Sequence, residues 1–355
     1  MVRNRELLEK LRMVAPGTLL RKGVDDILMA QSGALLLFVD DVEKYSDLIQ
    51  PGFILNIPFS PEKLYELAKM DGAIILNEEA TKITMANVHL VPDPSIPTNE
   101  TGMRHRTADR IAKQIEKMAI AISRRRNTIT LYYKGIKYMI NNVNFLITRV
   151  SQGLRAIEKY KEALDRLLLE LDVLELDDKV TLYDVARILE KGIKEYKIKQ
   201  ELEWFITELG VEGKLAKIQL EEMTADLEDI LDFLIMDYIS SQEDRNFENI
   251  REKLLNMSER ELTSYNQIAR NLGYDTSNIN LTEYIVHPRG FRILKGIPKI
   301  PTSVIMNLVN TFKNLQKIST ATTEDLKNVE GIGERRASAI VDGIEQLKKR
   351  RIWNM

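Results

Sequence analysis

Apolar positions fall into two regimes along the chain, strands interleaved with helices up to about residue 145 and helices alone beyond it. Leu7, Leu8, Leu11 and Val14 keep helical spacing before a break at Pro16-Gly17, and a second helix is predicted over 20–29. The unbroken apolar run 33–39, closed by Asp40, has the pattern of a strand buried on both faces. Ser60-Pro61 starts a helix, with Ser60 as cap and Pro61 at its first position. Asp71-Gly72 is a tight turn into a second buried strand, Ala73-Ile74-Ile75-Leu76. Further strands are expected over 83–90, 118–123 and 128–140, the last a hairpin turning at Lys134-Gly135.

The strand signal then stops. Val150, Leu154, Ile157, Leu164, Leu167, Leu168 and Leu171 share helical spacing, and Thr181-Leu182-Tyr183-Asp184 is a capping box opening a second helix. Leu202, Phe205, Ile206 and Leu209 stripe a third, ending at Gly210, and residues 227–238 stripe a fourth. Glu221, Glu222, Asp226, Glu228 and Asp229 fit a solvated helix face, and no catalytic constellation is evident here. Beyond it, residues 324–329 are helical, Glu330-Gly331-Ile332-Gly333 is a hairpin turn, and another helix covers 334–350. Internal repeats and low-complexity stretches are not apparent. The expected organisation is an α/β domain over 1–145, an all-helical spine over 146–285 and a small third domain over 286–355.

Composition narrows the function classes. The chain has no cysteine, which excludes disulfides and thiolate metal sites, and its three histidines are scattered. No apolar run reaches the ~18 residues of a membrane span, and residues 1–6 lack a signal-peptide core. A cytoplasmic protein without membrane partners is expected. The net charge of -2 conceals an asymmetry: residues 286–355 carry 13 Lys and Arg against 6 Asp and Glu, while the rest carries 38 against 47. A basic tail on an acidic body points to a polyanion met by the tail alone.

Candidate chemistry concentrates in Thr101-Gly102-Met103-Arg104-His105-Arg106-Thr107, between the Pro-rich loop 91–97 and a helix striped by Ala108, Ile111, Ala112, Ile115 and Met118. A helix N-terminus already favours an anion, and cations placed there need one to offset them. Guanidinium groups grip phosphate oxygens with two prongs, so a polyphosphate fits. Asp71, thirty residues earlier, supplies a hard carboxylate for Mg2+ or Mn2+ bridging nucleotide phosphates. Gly72 permits close backbone approach to a sugar or base. Arg124-Arg125-Arg126 either extends the clamp or forms an exposed strand end. In the tail, Gly331, Ile332 and Gly333 bring backbone N–H groups to a phosphate, with Arg335, Arg336 and the run Lys348-Lys349-Arg350-Arg351 adding counter-charge.

Taken in order, Asp71-Gly72-Ala73 and Thr101-Gly102-x-Arg104-His105-Arg106 resemble the motifs of the diadenylate cyclase domain. The chain as a whole is similar to the branch of that family with a helical spine and a helix-hairpin-helix tail. The resemblance implies a multidomain fold: a cyclase domain with a mixed sheet, an all-helical spine and a helix-hairpin-helix DNA-binding domain. It implies condensation of two ATP into cyclic di-AMP and two pyrophosphates, an octameric assembly, binding of branched DNA without sequence preference, and association with the nucleoid. Asp71 would be the metal ligand that helps activate the ribose 3′-hydroxyl, and Arg104, His105 and Arg106 the phosphate clamp. Gly72, Ala73, Leu90, Thr101, Gly102, Thr107 and Ser123 would line base, sugar and phosphates. One departure stands out. The first hairpin of a tandem module would fall at residues 294–301, where Pro298 and Pro301 occupy places suited to a second glycine, and proline offers no N–H.

Two other readings stay open at this point. One is a DNA-binding scaffold whose first domain holds a nucleotide without catalysis. The other is a repair nuclease or another nucleotidyltransferase, although a two-metal nuclease normally needs a carboxylate cluster and Asp71 stands alone.

Overall fold

The computed structural model describes residues 5–240 and 247–353, with the backbone alone from 350 onward. The chain divides into two compact units, Met1–Gln152 with Leu202–Ile218, and Gly153–Glu201 with Gln219–Met355. The N-terminal unit therefore draws in a segment that the linear boundaries placed inside the spine.

Helices α1 (Arg5–Met13) and α2 (Leu19–Met29) lead into β1 (Leu35–Val39), β2 (Ile49–Gln50) and β3 (Phe53–Pro58), then α3 (Pro61–Leu67) and β4 (Ala73–Asn77). β5 (Lys82–Leu90), α4 (Met103–Ile115), β6 (Ala119–Ser123), β7 (Thr128–Tyr133) and β8 (Ile136–Met139) complete the domain. The sheet order is β2-β5-β4-β1-β6-β7-β8, with β3 also paired to β5. β1 and β4 are parallel, and every other named pair is antiparallel, so the sheet is mixed.

Both faces of the central strands are covered, which explains their unbroken apolar sequence. Leu36, Phe38, Ile74, Leu76, Ile120 and Ile122 pack with residues of α1, α2 and α3. The alternate positions Leu35, Leu37, Ala73, Ile75, Ala119 and Ala121 pack with Ala108, Ile111 and Ala112 of α4. Truncating one such fully buried side chain, Ile75 for instance, should cost about 2–5 kcal/mol. The α4 stripe ends at Ile115, because Glu116 turns left-handed (φ 56°); Met118 is buried beyond the helix, just ahead of β6.

Strands β2 and β3 were not foreseen. Pro51-Gly52 separates them, β3 is largely exposed along an edge, Asn56 takes φ 51°, and the β3–β5 register shifts between Ile54 and Ile57. These features erase the alternation by which a strand is read from sequence.

The end of the sheet where β1 and β4 finish is stapled by charge. Lys117 Nζ lies 3.1 Å from Asp40 Oδ1 and 2.6 Å from Glu78 Oε1, and Lys44 pairs with Asp40 at 2.5 Å. Hydrogen bonds from Lys44 and Lys117 hold the Asp40 carboxyl well below the usual carboxylate range.

Helix α5 (Val143–Leu176) and helix α6 (Leu182–Leu209) each contribute residues to both units. The second and third spine helices expected from sequence are one: α6 runs unbroken from the Thr181–Asp184 capping box to Gly210. Within the N-terminal unit its last turns dock on the sheet. Trp204 Nε1 donates to Tyr138 Oη (3.0 Å), and Tyr138 donates to the buried Glu208 (2.6 Å), which also accepts from the Asn141 amide. Gly210 (φ 55°) sits against the Pro16 carbonyl where a Cβ would come within 2.4 Å, so only glycine fits there.

In the second unit, α7 (Lys214–Met223, entered from the first unit), α8 (Leu227–Tyr238), α9 (Phe247–Asn256), α10 (Glu259–Leu262) and α11 (Tyr265–Asn271) precede the tail. Parts of α5 and α6 share one apolar core with α8, α9, α10 and α11. The tail comprises α12 (Phe291–Lys295), α13 (Thr302–Phe312), α14 (Leu315–Thr320), α15 (Thr323–Lys327) and α16 (Glu334–Trp353). Its core takes in Phe233 of α8. Asp237, also of α8, accepts hydrogen bonds from the Gly290 and Phe291 amides (2.7 Å each) and the Arg292 amide (3.0 Å), closing the start of α12.

Candidate nucleotide cavity and nucleic-acid hairpin

Strand register brings the candidate residues of the first unit to one edge of the sheet. Leu35 pairs with both Ala73 and Ala121, and Ala73 with Val88. The starts of β1 and β4 therefore lie beside the ends of β5 and β6, and with them Gly72, Leu90 and Ser123. This is the end opposite to the one at which open parallel α/β sheets usually bind ligands. Mixed strand direction and the N-terminus of α4 supply the site instead.

Loop 91–102 is laid along α4 by hydrogen bonds from Arg110 Nε to the Ile96 carbonyl (2.9 Å), from Lys113 Nζ to the Pro97 carbonyl (2.9 Å) and from the Asp93 amide to Gln114 (2.9 Å). Gly102 caps α4 with extended backbone (φ −86°, ψ 143°), and the first turn contains no acidic residue. The cations there lack a carboxylate within the turn to offset them.

A cavity of about 1160 Å³ opens at this edge. Of the residues singled out from sequence, Gly72, Ala73, Leu90, Gly102, Arg104, His105, Thr107 and Ser123 line it. Asp71, Thr101 and Arg106 are exposed and are not among the lining residues. Thr101 instead accepts a hydrogen bond from Arg126 Nη2 (3.2 Å). Arg124 and Arg125 line the cavity, which extends the cationic wall beyond the Arg104 stretch. Met29, Gln31, His89 and Asn127 also line it. Sequence reasoning missed these four, since isolated residues at a strand end or helix end carry no motif.

Two glycines are set by contact. Gly72 has φ 95°, and a Cβ there would lie 2.9 Å from the Asn87 carbonyl carbon and the Val88 carbonyl oxygen of β5. At Gly33 a Cβ would come within 3.0 Å of the Arg104 guanidinium, which passes across it. For a divalent metal, the described residues contain no cluster of three or more His, Cys, Asp or Glu. One exposed carboxylate, Asp71, fits an ion held mostly by phosphate oxygens and water, the usual habit of magnesium.

His105 is buried, at 7% exposure, and its Nδ1 lies 3.0 Å from Tyr132 Oη. Burial and the neighbouring Glu100, which pairs with Lys137, push the Tyr132 hydroxyl pKa up. Burial lowers the His105 pKa, and Arg126, Lys137 and Arg104 lower it further against the pull of Glu100. Burial would push the Glu100 carboxyl up, but hydrogen bonds from Lys137 and Tyr132 hold it below its ordinary value.

In the tail, Gly331 (φ 84°) turns the hairpin between α15 and α16, and around Gly333 a Cβ would meet nothing within 4 Å. Gly331, Gly333, Arg335 and Arg336 are exposed. The Ile332 side chain is buried in the tail core, so its backbone alone is presented, and Arg336 Nη1 already donates to the Gly331 carbonyl (2.6 Å). Lys299, 32 residues before Gly331, takes the same left-handed turn (φ 69°) between α12 and α13. The first hairpin thus keeps the backbone path of the second despite Pro298 and Pro301. The side chains of Arg350 and Arg351 lie outside the described residues.

Comparison with known proteins bears on both sites. Residues 21–137 match the model described as DisA bacterial checkpoint controller nucleotide-binding, residues 140–281 its linker region, and residues 292–352 a helix-hairpin-helix motif. The DNA integrity scanning protein DisA of Thermotoga maritima is 53% identical over 348 residues, 98% of this chain and 97% of that protein. Those of Carboxydothermus hydrogenoformans and Acetivibrio thermocellus are each 44% identical, covering 98% and 97% of this chain and 98% and 95% of their own. With a nucleotide-binding domain, a helical linker and a helix-hairpin-helix tail matched in that order, this chain belongs to the DNA integrity scanning protein DisA family.

Proposed function

We propose that the N-terminal domain condenses two ATP molecules into cyclic di-AMP with release of two pyrophosphates, and that the tail couples this synthesis to branched DNA. The observation carrying the reading is the convergence of Arg104, Arg124 and Arg125 with Gly72, Gly102 and Ser123 around one cavity at a helix N-terminus. Its volume, about 1160 Å³, accommodates a nucleoside triphosphate. Arg104 and its neighbours meet charge that grows on the departing pyrophosphate. Asp71 would hold Mg2+ or Mn2+ together with the nucleotide's phosphates, and the bound ion would neutralise phosphate charge.

The product is two-fold symmetric, so each 3′-hydroxyl attacks the other nucleotide's α-phosphate. Two cavities facing each other across a two-fold axis, each with one ATP, satisfy that requirement. An octamer carrying several tails extends the pairing, and multivalency then favours branched over linear DNA. The division of labour follows 1–145 for synthesis, 146–285 for transmission and 286–355 for DNA, in a cytoplasmic protein working at the nucleoid. Among the described residues no helix is long and apolar enough to cross a membrane.

Incubation with ATP and manganese, with products identified by mass, tests the reading. Cyclic di-AMP and pyrophosphate are expected. Bound but unaltered ATP would instead favour a nucleotide-responsive scaffold, and cleaved DNA a nuclease.

A further inference from the structure

The hydrogen-bond chain behind His105 has a direction. Glu100 is ionised and paired with Lys137, so it accepts and cannot donate. The Tyr132 hydroxyl has one proton, and an ionised carboxylate beside it draws that proton more strongly than a neutral imidazole nitrogen, which leaves Oη to accept from His105 at 3.0 Å. Nδ1 of His105 therefore carries the ring proton. Nε2 is left with a lone pair, buried and without a hydrogen-bond partner among the described residues. An orphaned buried nitrogen costs free energy unless a ligand satisfies it, and His105 lines the cavity.

Resting on the cyclase reading above, we propose that Tyr132 and Glu100 are positioning residues that lock His105 as the Nδ1–H tautomer and so keep Nε2 as the acceptor of the proton leaving the attacking ribose hydroxyl. The bond from that oxygen to the α-phosphorus forms as the bond to pyrophosphate breaks. The hydroxyl proton passes to Nε2, and the imidazolium keeps its Nδ1–H on Tyr132 until it returns the proton to solvent. The charged groups facing the ring come from each surrounding element: Glu100 from the loop before α4, Arg104 from α4, Arg126 from the β6–β7 turn, and Lys137 from β8. The cations keep the resting ring neutral, and Glu100, acting through Tyr132, supports the imidazolium when it forms. His105 then works beside the arginines as a base, in place of a third cation in the clamp.

Tyr132→Phe and Glu100→Gln test this in the full chain. Each should lower kcat for ATP ~10–100-fold, the usual cost of losing a partner that orients a functional histidine, with KM changed less than kcat. Each removes support for the imidazolium, so the acid limb of the pH–kcat profile should move to lower pH. A purely structural role would lower activity or thermal stability without moving that limb, and such a result overturns the proposal. An arm that needs no turnover uses protein with 15N-labelled histidine, the His105 signal being the one absent from His105→Gln. It should report Nδ1–H in the parent and a tautomer mixture in Tyr132→Phe; an Nε2–H ring in the parent also overturns the proposal. If the parent makes no cyclic di-AMP, the cyclase reading fails while the tautomer result still decides the lock.

Discussion

Arg292 and Glu175 form an ion pair inside the second unit, Nη2 to Oε2 at 2.6 Å, with the carboxylate at 0% exposure. Asp172 joins Arg292 at 2.6 Å, and Tyr238 donates to Glu175 at 2.6 Å. Burial pushes the Glu175 carboxyl up, against the pull of Arg292 and Tyr238. Removing one partner from such a pair strands the other charge. Glu175→Gln should therefore lower stability by about 3 kcal/mol in urea unfolding. A variant as stable as the parent would show that Asp172 alone compensates Arg292.

The same pair decides how DNA binding should be tested. Removing residues 286–355 would strip Arg292 from Glu175 and the α12 amides from Asp237. A point change is cleaner. Arg335 is exposed at the start of α16, and Arg335→Ala should weaken duplex binding equally for unrelated sequences. It should also reduce the slope of log affinity against log salt by about one. An unchanged slope in fluorescence anisotropy would exclude Arg335 from the phosphate contacts.

Arg104 lines the cavity and Arg106 does not. On the cyclase reading, Arg104→Ala should weaken ATP binding by ~10-fold or more, the scale of one lost charge-assisted hydrogen bond, and Arg106→Ala should weaken it less. Calorimetry with a non-hydrolysable ATP analogue measures both. Equal losses would mean that Arg106 also reaches the nucleotide.

Gly72→Ala meets both a left-handed backbone and the β5 carbonyl. It should cost more than about 1 kcal/mol in stability and displace Asp71, so that, on the cyclase reading, turnover should fall further than ATP affinity. An alanine variant with full turnover would refute the contact argument.

Glu195, on α6, is 1% exposed, and burial raises its pKa to about 7. The folded form holds its proton more tightly than the unfolded chain, for which the ordinary value is 4.5. This contribution is fully present below pH 4.5 and is lost as pH rises toward 7. Glu195→Gln, neutral at every pH, should then gain roughly 1–3 kcal/mol at pH 8 and nothing at pH 4. Thermal unfolding at the two values checks it, and an equal effect at both would exclude the titration.

Much of this architecture was legible because local pattern and global packing agree. The runs at 35–39 and 73–76 are apolar at every position because helices cover both sheet faces, and Ser60-Pro61 and Thr181–Asp184 announce their helices through capping chemistry. Gly72 and Arg104 were visible as motifs whose members lie within a few residues. Tyr132 and Glu100 were not, since they reach His105 from β7 and a loop and no spacing relates them. The return of Leu202–Ile218 to the first unit was equally hidden, being a matter of what Trp204 and Gly210 touch.

The charge staple joining Asp40, Lys117 and Glu78 divides the sheet into an end that holds and an end that yields. Backbone amides near the staple should exchange with solvent slowly with or without a ligand, since the strands there are clamped by ions as well as by their ladder. On the cyclase reading, adjustment to an arriving nucleotide should then fall at the opposite rim, in the loops at 30–34, 91–102 and 124–127. A domain built this way accommodates its ligand by moving its lips while the palate stays fixed.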